Sequence, residues 1–247
     1  MSSRRLRRAV ALALALTGCV LHSWLMRLER PWTLERRALW LKDASRRVLK
    51  ALGLGIALDG QPPTCGLVVA NHLGYLDILF FSAAMPCFFV AKKEIDSWPY
   101  FGWAARTAGT IFLDRRSMRS AKTVAAEIAQ RLRRPVAVLL FPEGTSTDGT
   151  QILCFHSRLI DPATKASVPV TAAAIRYMVG GGLEERDLCF YGNAAFLPHL
   201  WKVLGVSDFS AQLKFGEPRI YANRRAAATR IQAEVTAMRD AGALAVS

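Results

Sequence analysis

A histidine and an aspartate lie five positions apart in "NHLGYLD", residues 71–77, directly after a short apolar run. A carboxylate on one nitrogen of an imidazole fixes the tautomer and stabilises the imidazolium, so that the other nitrogen can accept a proton. On a regular helix His72 and Asp77 would point well apart, but Gly74 permits a non-helical turn that could bring them together. The alternative is a polar strand-to-helix turn in which Asn71 or Asp77 caps the helix. Taken alone, the spacing is too common to assign chemistry.

Three further segments are of interest. Two of them lie at the ends of predicted strands, and the third is itself a predicted strand. "GTIFLDRR" delivers Arg115 and Arg116 at the end of a short predicted strand, and arginine there could bind a phosphate or carboxylate, or simply form a solvated basic face. "FPEGTSTDG", residues 141–149, is a loop with Pro, Gly and the acid Glu143, although such residues are also common in ordinary turns. "VPVTAAAI" is typical of a buried strand.

Together and in this order, the four segments resemble the glycerolipid acyltransferase family of 1-acylglycerol-3-phosphate (lysophosphatidic acid) acyltransferases. The blocks of that family run N-H-x-x-x-x-D, G-x-I-F-I-x-R, F-P-E-G-T-R-S and V/I-P-V. This chain has "NHLGYLD", "GTIFLDR", "FPEGTST" and "VPV" at compatible intervals. The resemblance spans about residues 65–175, and its first and third blocks are the most specific as a pair.

The resemblance implies that His72 is the general base on a lysolipid hydroxyl, which attacks the thioester of an acyl donor, and that Asp77 orients His72. Acyl-CoA or acyl carrier protein is the implied donor, and no metal or cofactor is implied. Arg115 would bind the phosphate of the acceptor, and the neighbourhood of Asn71 or a backbone N–H could stabilise the oxyanion. Substrate binding is thereby assigned to Asn71, Arg115, Arg116, Glu143, Gly144 and Thr145.

One position departs from the family pattern. Ser146 stands where the third block usually carries arginine, so one expected phosphate contact is missing. The "TSTDG" ending resembles bacterial relatives that acylate lyso-ornithine lipids, whose head group lacks a glycerol phosphate. Arg116, Arg158 or Lys165 could replace the missing cation. We therefore expect 1-acylglycerol-3-phosphate as the acceptor, with lyso-ornithine lipid as the alternative.

The charge of the chain favours an anionic partner. The 247 residues include 33 Lys and Arg against 19 Asp and Glu, which gives a net charge of +14, and 52% of them are hydrophobic. Residues 1–50 hold twelve of the cations and three of the acids. Because these cations flank apolar residues, the pattern favours a membrane surface over nucleic acid. A non-catalytic basic protein that binds membrane or nucleic acid is the remaining alternative to an enzyme.

Three interpretations of residues 1–30 are open. "LTGC" resembles a bacterial lipoprotein signal, a secretory signal would begin in the same way, and the segment could also be a retained amphipathic helix. The apolar run from Ala9 to Leu21 is thirteen residues long, which is short for the roughly 20 that span a bilayer. Arginines on both sides favour a helix that lies in the interface. We expect attachment to the cytoplasmic face of a bacterial inner membrane.

Short apolar strands that alternate with helices predict an α/β fold with a mixed, mostly buried sheet flanked by helices. Strands are predicted at 67–70, 87–92, 110–113, 136–141, 168–175, 188–191 and 211–220. The predicted organisation is one catalytic domain over residues 59–247, preceded by basic amphipathic membrane-binding helices over residues 1–58.

Overall fold

A computed structural model of the chain describes residues 2–114 and 118–243 and shows the α/β fold that the sequence predicts. The strands are β1 (Gly55–Asp59), β2 (Leu67–Ala70), β3 (Cys87–Lys92), β4 (Ile111–Leu113), β5 (Ala137–Leu140), β6 (Val170–Val179) and β7 (Phe209–Phe215). The helices are α1 (Ser2–Glu29), α2 (Leu34–Leu52), α3 (Leu76–Ala84), α4 (Pro99–Ala108), α5 (Met118–Arg131), α6 (Asp161–Lys165), α7 (Phe196–Gly205) and α8 (Arg224–Ala243).

The strands form one mixed sheet in the order β1-β7-β6-β2-β5-β3-β4. All neighbouring pairs are parallel except β6 and β7. Alternate residues of β2 enter opposite cores, since Val68 packs with α2 and α3 whereas Leu67 and Val69 pack with α5 and α8. The parallel strands β2, β5, β3 and β4 therefore end at one edge of a sheet that is covered on both faces, which is where α/β folds build their sites.

Helix α2 belongs to the core of the same body as the sheet. Thr33 caps its first turn by accepting from the Arg36 N–H, and Gly53 ends it in a left-handed conformation with φ 67°. Trp40 and Leu49 are buried in one cluster with the aromatic residues of α3.

Helix α1 corrects the expectation that the N-terminal segment is too short to span a bilayer. His22 and Ser23 do not interrupt the helix, because the Ser23 hydroxyl is buried and donates to the Val20 carbonyl at 2.8 Å. Of the described residues, one helix, Ser3–Glu29, is long and apolar enough to cross a membrane. By length and composition, α1 fits both a spanning helix and a helix in the membrane interface. Its inner face packs against α2, where Trp40 Nε1 donates to the Cys19 carbonyl at 3.1 Å.

The predicted strand over residues 188–191 is wrong. Leu188 and Cys189 are buried, but the segment follows a 3₁₀ turn (Glu185–Asp187). The Phe190 N–H donates to the Leu73 carbonyl at 2.8 Å, in the turn that follows β2, and not to a neighbouring strand. The segment is apolar because it is buried, and this apolar character was mistaken for a strand although no neighbouring strand pairs with it.

Three of the described strands and helices were missed, namely β1, α6 and α7. Strand β1 is short and mostly exposed, so it lacks the apolar pattern of a core strand, and its pairing with β7 is long-range. It crosses the predicted boundary between residues 58 and 59. Helix α7 begins with a proline in its first turn, which a helix tolerates, and its apolar residues at 197, 200, 201 and 204 could have revealed it.

Candidate active site

The turn between β2 and α3 brings His72 and Asp77 together. Asp77 lies in the first turn of α3, and its Oδ2 is 2.7 Å from His72 Nδ1. Gly74 makes this possible with a φ of 156°. A Cβ at Gly74 would lie 2.8 Å from Phe190 Cβ and 3.0 Å from Phe190 N, so the turn requires glycine for space as well as for backbone freedom.

Asp77 is a fully buried acceptor, with 0% of its surface exposed. Its Oδ2 accepts from the backbone N–H of Leu73 at 2.7 Å and of Gly74 at 3.0 Å, besides His72. Its Oδ1 accepts from the Tyr177 hydroxyl at 2.5 Å. Burial, and then the neighbouring carboxylate, raise the pKa of Tyr177 well above its usual range, so the hydroxyl keeps its proton and donates. These donors replace water around the buried carboxylate.

The His72 ring is held on two sides and open on a third. It stacks on Phe141 with ring centroids 4.3 Å apart and planes at 13°, and 22% of its side chain is exposed. Because Asp77 Oδ2 accepts, Nδ1 carries the proton and donates. The lone pair of Nε2 is then available to take a proton from a hydroxyl, and Asp77 stabilises the imidazolium that results.

Glu143 fixes the backbone on which the histidine stands. It follows β5 and is only 4% exposed. Its Oε1 accepts the His72 N–H at 2.8 Å, and its Oε2 accepts the Leu153 N–H at 2.9 Å. Burial raises the pKa of the Glu143 carboxyl, although both hydrogen bonds oppose this shift. Glu143 therefore shapes the site by joining the F-P-E-G loop to the catalytic turn.

The rest of the F-P-E-G loop lies over the same turn. Gly144 has φ 78° and closes a tight turn in which its N–H donates to the Phe141 carbonyl at 3.3 Å. Thr145 is exposed. The Ser146 hydroxyl donates to the Phe190 carbonyl at 2.6 Å, and the Thr147 N–H donates to the His72 carbonyl at 2.9 Å.

Asn71 supports the site from the interior and is 2% exposed. Its Nδ2 donates to the Ile175 carbonyl at 3.1 Å, and its Oδ1 accepts the Ile175 N–H at 2.9 Å. The side-chain amide is thereby committed to joining β2 to β6. An oxyanion contact at this position would have to come from the backbone.

Arg115 and Arg116 lie outside the described residues. The strand that leads to them, β4, is parallel to β3 and is three strands from β2 in the sheet. Three inter-strand spacings amount to about 14 Å. Lys165, another candidate cation, pairs with Asp161 of its own helix at 2.8 Å. Arg158 lies in a short 3₁₀ turn (Ser157–Leu159) that packs against α5 and α8.

The sequence did not reveal the roles of Tyr177, Phe141 and Phe190. Tyr177 is a buried tyrosine in the apolar strand β6, a hundred positions after Asp77, and nothing local distinguishes it from a core aromatic. Phe141 could have been found, because it opens the F-P-E-G segment at the end of β5. Phe190 was assigned to a strand.

Comparisons with known proteins identify acyltransferases as the relatives of this chain. A protein-family model described as "Acyltransferase" matches residues 59–176. A lyso-ornithine lipid O-acyltransferase of Rhodobacter capsulatus is 35% identical over 222 residues, which cover 85% of this chain and 80% of that protein. One from Pseudomonas aeruginosa is 33% identical and covers 86% and 83%.

A second group of relatives differs in acceptor. A 1-acyl-sn-glycerol-3-phosphate acyltransferase of Neisseria meningitidis is 33% identical and covers 70% of this chain and 69% of that protein. The crystal structure of the 1-acyl-sn-glycerophosphate acyltransferase from Thermotoga maritima matches the fold with a TM-score of 0.69 at 18% identity, over 99% of this chain and 95% of that one. The four sequence blocks and these relatives together show that the chain belongs to the lysophospholipid acyltransferase family and is a lysolipid O-acyltransferase.

Proposed function

We propose that the protein transfers a fatty acyl group from acyl-CoA or acyl carrier protein to the free hydroxyl of a lyso-ornithine lipid. The observation that carries the chemistry is the 2.7 Å contact between His72 Nδ1 and Asp77 Oδ2. The observation that carries the acceptor is the serine at position 146. The reaction and the acceptor are separate claims and are tested separately.

In the proposed reaction His72 Nε2 takes the proton of the lysolipid hydroxyl while the oxygen attacks the thioester carbonyl carbon. A C–O bond forms and the carbonyl oxygen takes up the negative charge. As the tetrahedral intermediate collapses, the C–S bond breaks and the imidazolium returns its proton to the sulfur. The products are the acylated lipid and a free thiol. No acyl-enzyme forms, and Asp77 holds the imidazole in the tautomer that this cycle needs.

The serine at position 146 favours an acceptor without a phosphate. Its hydroxyl donates to the Phe190 carbonyl at 2.6 Å. This position therefore supplies no cation, whereas the family that the chain resembles usually carries arginine here. An ornithine head group presents a carboxylate and an amine and carries no phosphate, so the missing phosphate contact does not count against this acceptor. The relatives from R. capsulatus and P. aeruginosa, which align over more than four fifths of this chain, are both named for lyso-ornithine lipid.

A second candidate acceptor is 1-acylglycerol-3-phosphate. Arg115 and Arg116 follow β4 at the edge of the sheet that carries His72, and paired arginines suit a phosphate. The Neisseria relative is named for this acceptor. In this version of the site, Arg115 and Arg116 take over from the missing arginine, while Glu143, Gly144 and Thr145 line the acceptor side.

Helix α1 is proposed to bring the site to its lipid substrates at the cytoplasmic face of a bacterial inner membrane. Its outward face exposes Leu6, Val10, Leu14, Leu21, Trp24, Leu25 and Leu28. Arginines at both ends suit anionic headgroups. Glutamates at Leu14 and Leu25 should abolish binding to vesicles of anionic phospholipid without unfolding the protein, because both side chains point away from the core. Full binding by this variant would remove α1 from the proposal.

The acceptor is tested by offering purified enzyme labelled acyl-CoA with lyso-ornithine lipid and 1-acylglycerol-3-phosphate in parallel. We expect kcat/KM to favour lyso-ornithine lipid by about tenfold or more. Ser146→Arg should move the preference towards the phosphate, whereas Thr150→Arg, at an exposed position of the same loop, should not. A wild-type preference for 1-acylglycerol-3-phosphate would select the second candidate, and transfer to neither acceptor would reject both.

A further inference from the structure

The C-terminal helix α8 inserts one arginine into the interior of the catalytic domain. Arg239 is only 6% exposed, and its guanidinium forks onto the carboxylate of Glu185, with Nη2 2.7 Å from Oε2 and Nη1 3.2 Å from Oε1. A buried charge of this kind is costly unless it is paired and its remaining donors are used. Arg239 is paired with Glu185, and the N–H groups of its two terminal nitrogens have acceptors.

The two terminal nitrogens of Arg239 also donate to two backbone carbonyls. Nη1 donates to the Ile175 carbonyl at 2.5 Å, and Nη2 donates to the Gly149 carbonyl at 2.6 Å. One side chain thus joins three segments that are distant in sequence, namely strand β6, the turn that carries Glu185, and the loop that follows F-P-E-G. A planar fork with several fixed donors can do this, whereas an ammonium group cannot.

The segment at Glu185 leads to Asp77 through a single residue. Oε1 of Glu185 accepts the Tyr177 N–H at 2.8 Å, and the hydroxyl of the same tyrosine donates to Asp77 Oδ1 at 2.5 Å. The position of Glu185 therefore sets the position of the tyrosine that holds the catalytic carboxylate.

The segment at Gly149 leads to His72, also through a single residue. The Gly149 N–H donates to Thr147 Oγ1 at 3.3 Å, and the Thr147 N–H donates to the His72 carbonyl at 2.9 Å. A Cβ at Gly149 would lie 2.9 Å from Glu185 Oε2 and 3.1 Å from Arg239 Nη2. The loop therefore packs directly on the ion pair.

We propose that Arg239 is a positioning residue for acyl transfer, which sets the relative placement of His72 and Asp77 while touching neither of them nor the substrates. Through Glu185 and Tyr177 it fixes the carboxylate, and through the Gly149 loop it fixes the backbone of the histidine. This inference rests on the proposed reaction at His72. It assigns a role in catalysis to the C-terminal helix, which carries none of the four sequence blocks.

The test compares wild type with Arg239→Lys, Tyr177→Phe and the control Arg230→Lys, an exposed arginine of the same helix. Activity is measured with whichever lysolipid the wild type uses. Arg239→Lys keeps the charge but loses the fork, and Tyr177→Phe removes one oxygen from the chain of contacts. We expect kcat to fall about 10- to 100-fold in both with KM nearly unchanged, because small misplacements of a catalytic group cost rates of this size. Arg230→Lys should match wild type.

A second readout separates positioning from general stability and does not depend on turnover. The proton that His72 Nδ1 donates to Asp77 should give a downfield NMR resonance, which should shift or broaden in Arg239→Lys and Tyr177→Phe but not in Arg230→Lys. If wild type transfers no acyl group to any lysolipid, the proposed function fails, and this resonance still tests the coupling. If Arg239→Lys does not fold, Glu185→Gln decides, because it keeps the size of the side chain that links Arg239 to Tyr177 but removes its charge. Wild-type kcat and an unchanged resonance in the folded variants would overturn the proposal.

Discussion

Replacing Asp77 with asparagine should leave the fold almost intact and remove most of the acyl transfer. An asparagine oxygen in the place of Oδ2 still accepts from His72 Nδ1, the Leu73 N–H and the Gly74 N–H. Its amide group then faces the Tyr177 hydroxyl, which currently donates at 2.5 Å but can rotate and accept instead. Each of these groups keeps at least one partner, and the substitution removes the negative charge and the acceptor of the Tyr177 O–H.

The expected magnitudes follow from which groups lose partners. In Asp77→Ala the buried N–H groups of Leu73 and Gly74 and the buried Tyr177 hydroxyl all lose their acceptor, and an unsatisfied buried donor costs about 1–3 kcal/mol. We therefore expect Asp77→Ala to be destabilised by about 3–9 kcal/mol and Asp77→Asn, in which only the Tyr177 O–H loses its acceptor, by about 1–3 kcal/mol. Without the charge that stabilises the imidazolium, both should lose on the order of 10³- to 10⁴-fold in kcat.

The assay pairs initial rates with labelled acyl-CoA and thermal or chemical unfolding of the same preparations. A double variant, Asp77→Asn with Tyr177→Phe, serves as the control, because the new amide group then has no hydrogen-bond partner. This double variant should be less stable than Asp77→Asn alone. The reasoning fails if Asp77→Asn is as unstable as Asp77→Ala. It also fails if Asp77→Asn keeps more than about a tenth of wild-type kcat, since the charge would then contribute little to the barrier.

Three further outcomes follow from the neighbouring contacts. Glu143→Gln should lose about 1–3 kcal/mol of stability in unfolding experiments, because its amide group must face the N–H of either His72 or Leu153. Since burial raises the pKa of Glu143, the folded state binds this proton more tightly than the unfolded state. The stability should therefore fall as pH rises from the ordinary glutamate value to the raised pKa, and Glu143→Gln should lack this slope. Gly74→Ala should cost about 1–3 kcal/mol and lower kcat, because its Cβ would overlap Phe190.

Each of these predictions can be contradicted by a specific result. Equal unfolding free energies for wild type and Glu143→Gln would show that the two backbone contacts are not both formed. A flat difference between them over acidic pH would mean that Glu143 titrates as it does in the unfolded chain. Full activity of Gly74→Ala would show that the turn accommodates a side chain by moving Phe190.

The sequence predicted the parts of the site that depend on local spacing. His72, Gly74 and Asp77 lie within one turn, and Glu143 follows the apolar run of β5, so their types and order could be read directly. The parallel core strands were predictable for the same reason, because each is a short apolar run between helices. The length of the N-terminal apolar helix was underestimated because the run was taken to end at Leu21, since the sequence does not show that the Ser23 hydroxyl is satisfied within its own helix.

The parts that could not be predicted depend on long-range contacts. Tyr177 reaches Asp77 across a hundred residues, and Arg239 reaches Gly149 across ninety. Each is ambiguous in its local sequence, because a tyrosine in an apolar strand and an arginine in a terminal helix are both ordinary. Strand β1 was missed because its partner is β7, more than 150 residues later. Such pairings are fixed by the packing of the whole sheet.

The most direct test of the central claim is the rate of acyl transfer by His72→Ala from labelled acyl-CoA to the lysolipid that wild type acylates. The side chain of His72 is partly exposed and donates only from its ring, so the variant should fold and unfold at nearly the wild-type temperature. Loss of the general base predicts a fall in rate of about 10²- to 10⁴-fold. A folded His72→Ala protein whose rate stays within about tenfold of wild type would contradict the assignment of His72 as the base.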